Sequence, residues 1–293
     1  MDQQTPWVRV IAGRADQALP LVCDSPHSGT RYPADFGHAI ARSELRAGED
    51  TDIDRLWSRV PQVGGTLVLA DFPRTYIDVN RALGDLDGAM LAGPWPEPLA
   101  PSPKTALGFG LIWRQVRADA PIYDRQLTVA EVQQRIERCW RPYHAAVRAA
   151  CDAAVQRWGA CWHLNLHSMP HNAYERLGLH SATPLADFVL GDRHGSSCDA
   201  GFVQCVREII EGQGYRVAIN DPYAGQELVR LMGQPQAGRH SLQIELNRAL
   251  YMNEATREPH AGFERLRADL NRIVEAIAQE LRARCAGATP PAA

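Results

Sequence analysis

Three polar clusters interrupt apolar runs in this chain of 293 residues, each where a buried strand would end. Asp24-Ser25-Pro26-His27-Ser28-Gly29 follows LPLVC, His163-Leu164-Asn165-Leu166-His167-Ser168 closes a second run, and Gln243-Ile244-Glu245-Leu246-Asn247-Arg248 a third. Two histidines at strand ends with carboxylates nearby are what a catalytic zinc requires: three protein ligands and an open position for water. Glu245, inside or at the end of an apolar run, carries a charge that is costly to bury without a partner. Each feature also has a plainer reading. A single histidine after a strand is more often a satisfied polar residue than a ligand. Glu245 could pair with an arginine. His163 shares a strand face with His167 but lies deeper, and is expected to be structural. Neither HExxH nor CxxC occurs in the sequence, so spacing alone leaves both readings open.

A fourth cluster, Pro73-Arg74-Thr75-Tyr76-Ile77-Asp78-Val79-Asn80-Arg81, gathers two arginines and an asparagine around a short predicted strand. Arginines beside a metal could clamp a substrate carboxylate or hold a developing oxyanion. The alternative is a solvated edge strand with surface arginines.

The elements that must position these clusters alternate. Residues 19–24, 65–70, 75–79, 161–166, 187–190, 215–219 and 241–246 read as strands. Residues 42–60, 128–154, 201–212 and 261–284 read as helices; Thr128 with Glu131 forms a capping box, and Pro142 should break or kink the second. Alternation of this kind predicts an α/β fold: a three-layer sandwich with a largely parallel sheet covered by helices on both faces. Ligands then gather at the carboxyl ends of the strands. The stretch 84–105, rich in Gly, Pro and Asp, is a long excursion of the kind that usually serves function. Residues 1–285 are expected to form one domain and 286–293 (AGATPPAA) a disordered tail.

Composition narrows the classes. Hydrophobic residues make up 45% and charged residues 22% of the chain, at a net charge of −3. That is enough for a full core, and the absence of a basic field speaks against nucleic acid as a partner. Lys104 is the only lysine, so arginine carries nearly all the positive charge. No N-terminal signal and no run long enough to span a membrane is seen. Seven cysteines without a CxxC pair fit reduced thiols and a cytoplasmic location.

SPHSGTRYP, EDTDIDRLW, RTYIDVNRAL, LHSMP and LQIELNRALYMNE occur in that order over residues 20 to 255. Together they resemble the N-formylglutamate amidohydrolase (N-formylglutamate deformylase) family, which looks related to the zinc carboxypeptidases and to the aspartoacylase and succinylglutamate desuccinylase group. The resemblance implies a zinc-carboxypeptidase-like fold with a mixed eight-stranded sheet between helices. It implies one Zn2+ per chain and a small acidic N-acyl amino acid, most simply N-formyl-L-glutamate, as substrate, with neither nucleic acid nor membrane as a partner; oligomeric state is left open.

By the same resemblance His27 and His167 match the first and last zinc histidines, Glu245 the glutamate that activates water, and Arg74 the arginine that polarises the scissile carbonyl. Asn80 and Arg81 match a substrate-holding Asn-Arg pair, with Arg114 a further candidate for a carboxylate. Two positions depart from the related zinc enzymes. Thr30 stands where they carry a ligand Glu, so the acidic ligand is sought in DTDIDRLW, with Asp52 favoured over Asp50. Asn165 stands where an Asp often orients the last histidine; its amide oxygen can still accept from an imidazole N–H. Three readings compete: the same zinc chemistry on another small N-acyl amino acid or a peptide, a cysteine amidase, for which Cys23 and Cys161 precede the key histidines, and a metal-free binding protein on the same fold.

Overall fold

The run CWHLNLHSM, Cys161–Met169, is buried at all nine positions. A strand covered on both faces needs neighbours on both edges, and it sits in the interior of a seven-stranded sheet. The computed structural model describes residues 6–117 and 119–287. Its main sheet comprises β1 (Val8–Ala12), β2 (Leu21–Ser25), β3 (Thr66–Ala70), β4 (Cys161–Met169), β5 (Phe188–Gly191), β6 (Val217–Ile219) and β7 (Arg239–Asn247). The strand order is β1-β3-β2-β4-β7-β5-β6. β2, β4 and β7 run parallel, β5 lies antiparallel to β7, and β6 is parallel to β5. The sheet is therefore mixed and largely parallel, as expected, with helices flanking it. Among the described residues it has seven strands, not the eight the family resemblance implied.

Four helices longer than one turn matter here: α1 (Val129–Arg135), α2 (Arg141–Trp158), α3 (Ala200–Glu211) and α4 (Gly262–Gly287). Thr128 caps α1, its hydroxyl accepting from the Glu131 amide at 3.1 Å while the Glu131 carboxylate accepts from the Thr128 amide at 2.7 Å. The predicted break at Pro142 takes the form of a π turn, Ile136–Trp140, between α1 and α2. Asp199 caps α3 through the Phe202 amide (2.9 Å), and Phe202, Val203, Val206 and Ile210 form its buried stripe. α4 buries Phe263, Leu266, Leu270, Ile273, Val274, Ile277 and Leu281 at helical spacing. None of the described helices is long and apolar enough to cross a membrane.

Two compact units emerge from the chain. One contains Pro26–Thr51 and Leu69–Ala146 with the described residues up to Arg9; the other contains Val10–Ser25, Asp52–Val68 and the chain from Val147 onward. The second is built on the sheet. The first relies on polar cross-links. In the excursion at 84–105, the Asp85 carboxylate accepts from the Ser102 amide (2.7 Å), the Ser102 hydroxyl (3.0 Å) and the Thr105 hydroxyl. Arg135, 1% exposed, donates to the carbonyls of Tyr76 (2.9 Å) and Phe36 (3.0 Å) and to the Tyr123 hydroxyl (2.6 Å).

Two predicted elements are corrected. The helix at 42–60 breaks into single turns at Arg42–Leu45 and Ile53–Leu56 with 3-10 turns at Arg46–Gly48 and Val60–Val63. Asp52 at φ 62° ends any continuity, since a left-handed residue cannot stay in a right-handed helix. The strand at 75–79 is a series of turns; its backbone groups are met by side chains rather than by a neighbouring strand. The last helix runs to Gly287, so residues 286 and 287 of the expected tail are helical, and the rest of that tail lies outside the described residues.

Candidate active site

In the sheet unit, β4 and β7 pair in register, setting His163 beside Ser241, Asn165 beside Gln243 and His167 beside Glu245. In-register partners on parallel strands share a face, and residues two apart on one strand share it too. One face of the sheet thus carries a polar row between apolar neighbours. Asp24, fully buried on β2, accepts from His163 Nε2 at 2.8 Å and from Asn165 Nδ2 at 2.9 Å. With its amide nitrogen committed there, Asn165 turns its oxygen to His167 Nε2 at 2.7 Å. That oxygen can only accept, so His167 donates to it through Nε2, which leaves Nδ1 as the nitrogen turned elsewhere. His163 is held on its other side by the Ser241 hydroxyl at 2.8 Å. Burial alone would push the His163 imidazolium pKa down, but the hydrogen bond and charge of Asp24 outweigh it and the pKa lies above its ordinary value. Glu245 is 8% exposed and accepts from Gln243 Nε2 at 3.0 Å.

In the other unit, His27 follows the end of β2 by two residues. Its carbonyl accepts from the Asp50 amide at 3.0 Å. Gly29 lies against the backbone of Asp71 and Phe72, where a Cβ would overlap, so the turn can approach that segment closely. Asp78, wholly buried, organises the cluster. Its Oδ1 accepts from His27 Nε2 (2.7 Å) and the Asn80 amide (2.9 Å); its Oδ2 accepts from Arg74 Nη2 (2.8 Å), Arg74 Nε (3.1 Å) and Trp113 Nε1 (3.2 Å). Burial pushes the Asp78 carboxyl up, yet Arg74 and His27 together hold it well below the usual carboxylate range. His27 Nδ1 then stands 3.4 Å from Asp50 Oδ2. Two ligands bonded to one tetrahedral zinc at about 2.0–2.1 Å are separated by roughly 3.3–3.4 Å. The gap is long for a strong hydrogen bond and suits two donors that share an ion.

Most of the expected site residues are buried: His27, His167, Glu245, Asn80 and Arg81. Arg74 lies 15% exposed against Asp78, its Nη1 3.8 Å from Asp50 and its guanidinium 4.9 Å from the Trp113 ring centre. Arg81 donates to the carbonyls of Phe109 (2.9 Å) and Asn80 (3.1 Å). Arg114 is 41% exposed and paired with Asp87 at 2.7 Å. Asp52 is paired with Arg55 on its own helical turn at 2.8 Å, whereas Asp50 is 1% exposed beside His27. Thr30 is exposed. Two residues with no role assigned from sequence, Asp78 and Asp24, each hold an imidazole or the group that orients one. Their signal was a carboxylate inside an apolar run (TYIDV, LVCD), the argument made for Glu245. Burial pushes the Cys23 thiol well up, with Asp24 adding to it, which disfavours a nucleophilic thiolate. His27, Asp50 and His167 are each buried side chains of a type that suits a divalent metal.

Comparison with known proteins agrees over most of the chain. A family model described as N-formylglutamate amidohydrolase matches residues 19–252. The crystal structure of an N-formylglutamate amidohydrolase from Ralstonia eutropha JMP134 is 57% identical, covers 96% of this chain and 100% of its own, and superposes with a TM-score of 0.93. N-formylglutamate deformylases of Pseudomonas putida and Pseudomonas aeruginosa are 27% and 28% identical, each over 90% of this chain and over 93% and 91% of their own lengths. With four-fifths of its length matched by the family model and its motif residues gathered into buried, hydrogen-bonded clusters, the chain belongs to the N-formylglutamate amidohydrolase family.

Proposed function

We propose that this chain hydrolyses the amide bond of N-formyl-L-glutamate, giving formate and L-glutamate, with one zinc ion held by His27, Asp50 and His167. The observation that carries the reading is the 57% identity, over 96% of the chain, to the amidohydrolase of Ralstonia eutropha. The donor set fits the ion: each imidazole spends one nitrogen on a fixed acceptor, Asp78 or Asn165, and so presents the other. Asp50 is preferred to Asp52 as the acidic ligand because it is buried beside His27, whereas Asp52 is tied to Arg55.

When bound, zinc lowers the pKa of water and polarises a carbonyl. Glu245 takes the proton of the attacking water and returns it to the leaving nitrogen as the C–N bond breaks. Arg74, its charge held in place by Asp78, stabilises the tetrahedral oxyanion. Asn80 and Arg81 hold the glutamate carboxylates; Arg114 joins them only by releasing Asp87. Formate release by the purified protein from N-formyl-L-glutamate, N-formyl-L-methionine and N-formylglycine tests the reading. The acidic substrate should lead in kcat/KM by at least about tenfold, the worth of one well-made charged contact. Equal or better turnover of the neutral compounds, or no formate at all, would sink it.

A further inference from the structure

Among the described residues the segment 74–81 pairs with no strand, yet three of its carbonyls are satisfied from one side. Arg135 Nη1 donates to the Tyr76 carbonyl at 2.9 Å, His144 Nε2 to the Val79 carbonyl at 2.7 Å, and Trp140 Nε1 to the Arg81 carbonyl at 2.9 Å. These carbonyls flank Asp78 and Asn80. All three donors come from one continuous stretch of α1, the π turn and α2.

Their spacing is five residues and then four. In an uninterrupted α-helix, residues five apart diverge by about 140° around the axis and cannot serve one strip of backbone. The π turn removes that divergence. The Arg141 amide bonds to the Ile136 carbonyl, an i to i+5 closure, so one turn there takes up five residues and returns Trp140 to the face of Arg135. Trp140 and His144, four apart, then lie one above the other, their rings stacked at 3.6 Å between centres and 17° between planes. Arg135 is locked by Tyr76, with its guanidinium 4.3 Å from that ring centre, and by Tyr123 and Phe36.

We infer that Arg135, Trp140 and His144 are positioning residues whose π-turn register fixes the backbone of 76–81, and with it the placement of Asp78, Asn80 and Arg81. The consequence for catalysis rests on the function proposed above; the consequence for the backbone does not.

Trp140→Phe keeps an aromatic ring for the stack and removes one donor. His144→Phe removes another, and His144→Gln restores an N–H at a similar reach. Hydrogen exchange by mass spectrometry on the full-length protein gives a readout independent of turnover and metal. Exchange in the peptide covering 73–83 should rise at least about tenfold in Trp140→Phe and His144→Phe, the effect of one lost hydrogen bond that leaves a buried carbonyl. Exchange in β7 should stay as in the wild type, and His144→Gln should return 73–83 close to the wild-type rate. In the same variants kcat/KM for N-formyl-L-glutamate should fall about tenfold, again the scale of one such bond. Unchanged exchange at 73–83, or a uniform rise across 73–83 and β7 alike, overturns the inference, since the residues would then serve global stability alone. A wild-type protein that releases no formate overturns the proposed substrate and leaves the exchange result to decide the positioning role.

Discussion

His167 and Glu245 face each other in register on the adjacent parallel strands β4 and β7, so their side chains leave the same face of the sheet. The pairing sets the proposed general base beside a candidate metal ligand without any loop. Glu245→Gln should therefore keep the fold, because the glutamine oxygen can still accept from Gln243. It should keep bound metal and lose about 10²- to 10⁴-fold in kcat, the usual worth of a positioned base. Steady-state kinetics and elemental analysis on the same sample check both halves; wild-type turnover would leave Glu245 a structural partner of Gln243.

The metal assignment separates two neighbouring aspartates. Purified protein is expected to carry about one zinc per chain. Asp50→Asn should weaken binding strongly, whereas Asp52→Asn, which breaks only a pair on the protein surface with Arg55, should retain the ion and cost at most about 1 kcal/mol. Zinc content after dialysis against a chelator series decides it, and metal lost from Asp52→Asn alone would reverse the choice.

The arginines should differ by role. Arg74→Ala should slow acidic and neutral N-formyl substrates alike, because the oxyanion is common to both. Arg81→Ala should weaken N-formyl-L-glutamate by tens- to about a thousandfold in kcat/KM while touching N-formylglycine less. Arg114→Ala, half exposed and paired with Asp87, should change kcat/KM less than Arg81→Ala. Measured specificity constants in which Arg114→Ala costs the most would reassign the carboxylate contact.

Acid should loosen the start of α1. Hydrogen bonding by Arg125, with the amide and hydroxyl of Thr128, holds the Glu131 carboxyl down to about 2 against some opposition from burial. A depressed carboxyl contributes stability that is complete above its unfolded value near pH 4.5 and is lost as pH falls toward about 2. Urea unfolding of wild type and Glu131→Gln should therefore differ most at pH 6 and converge by pH 2. Thr128→Ala should cost about 0.5–2 kcal/mol at pH 7. A gap between wild type and Glu131→Gln that widens on acidification would contradict the sign.

The chain's local patterns were enough to define the regular elements that carry half of the site. Alternation over 161–166, with His167 closing the run, put His163 and His167 on one face, because side chains on a strand repeat every two residues whatever surrounds them. Thr128 and Glu131 marked the start of α1 because a capping box is closed within four residues. The burial of Glu245 followed from its place in an apolar run, and the amide oxygen of Asn165 proved to be the acceptor for His167.

What the tertiary structure decided lies where backbone groups are satisfied from far along the chain. The apolar alternation at 75–79 suggests a strand, but the carbonyls of Tyr76 and Val79 are taken by Arg135 and His144, some sixty residues on, and no ladder forms. No local rule distinguishes Asp50 from Asp52. The left-handed backbone at Asp52 and the bond from the Asp50 amide to the His27 carbonyl turn one carboxylate inward beside an imidazole and leave the other on its own helical turn. Asp78 joins His27, Arg74 and Trp113 because a buried carboxylate needs every donor within reach, and which donors come within reach is set by the packed chain and not by spacing along it.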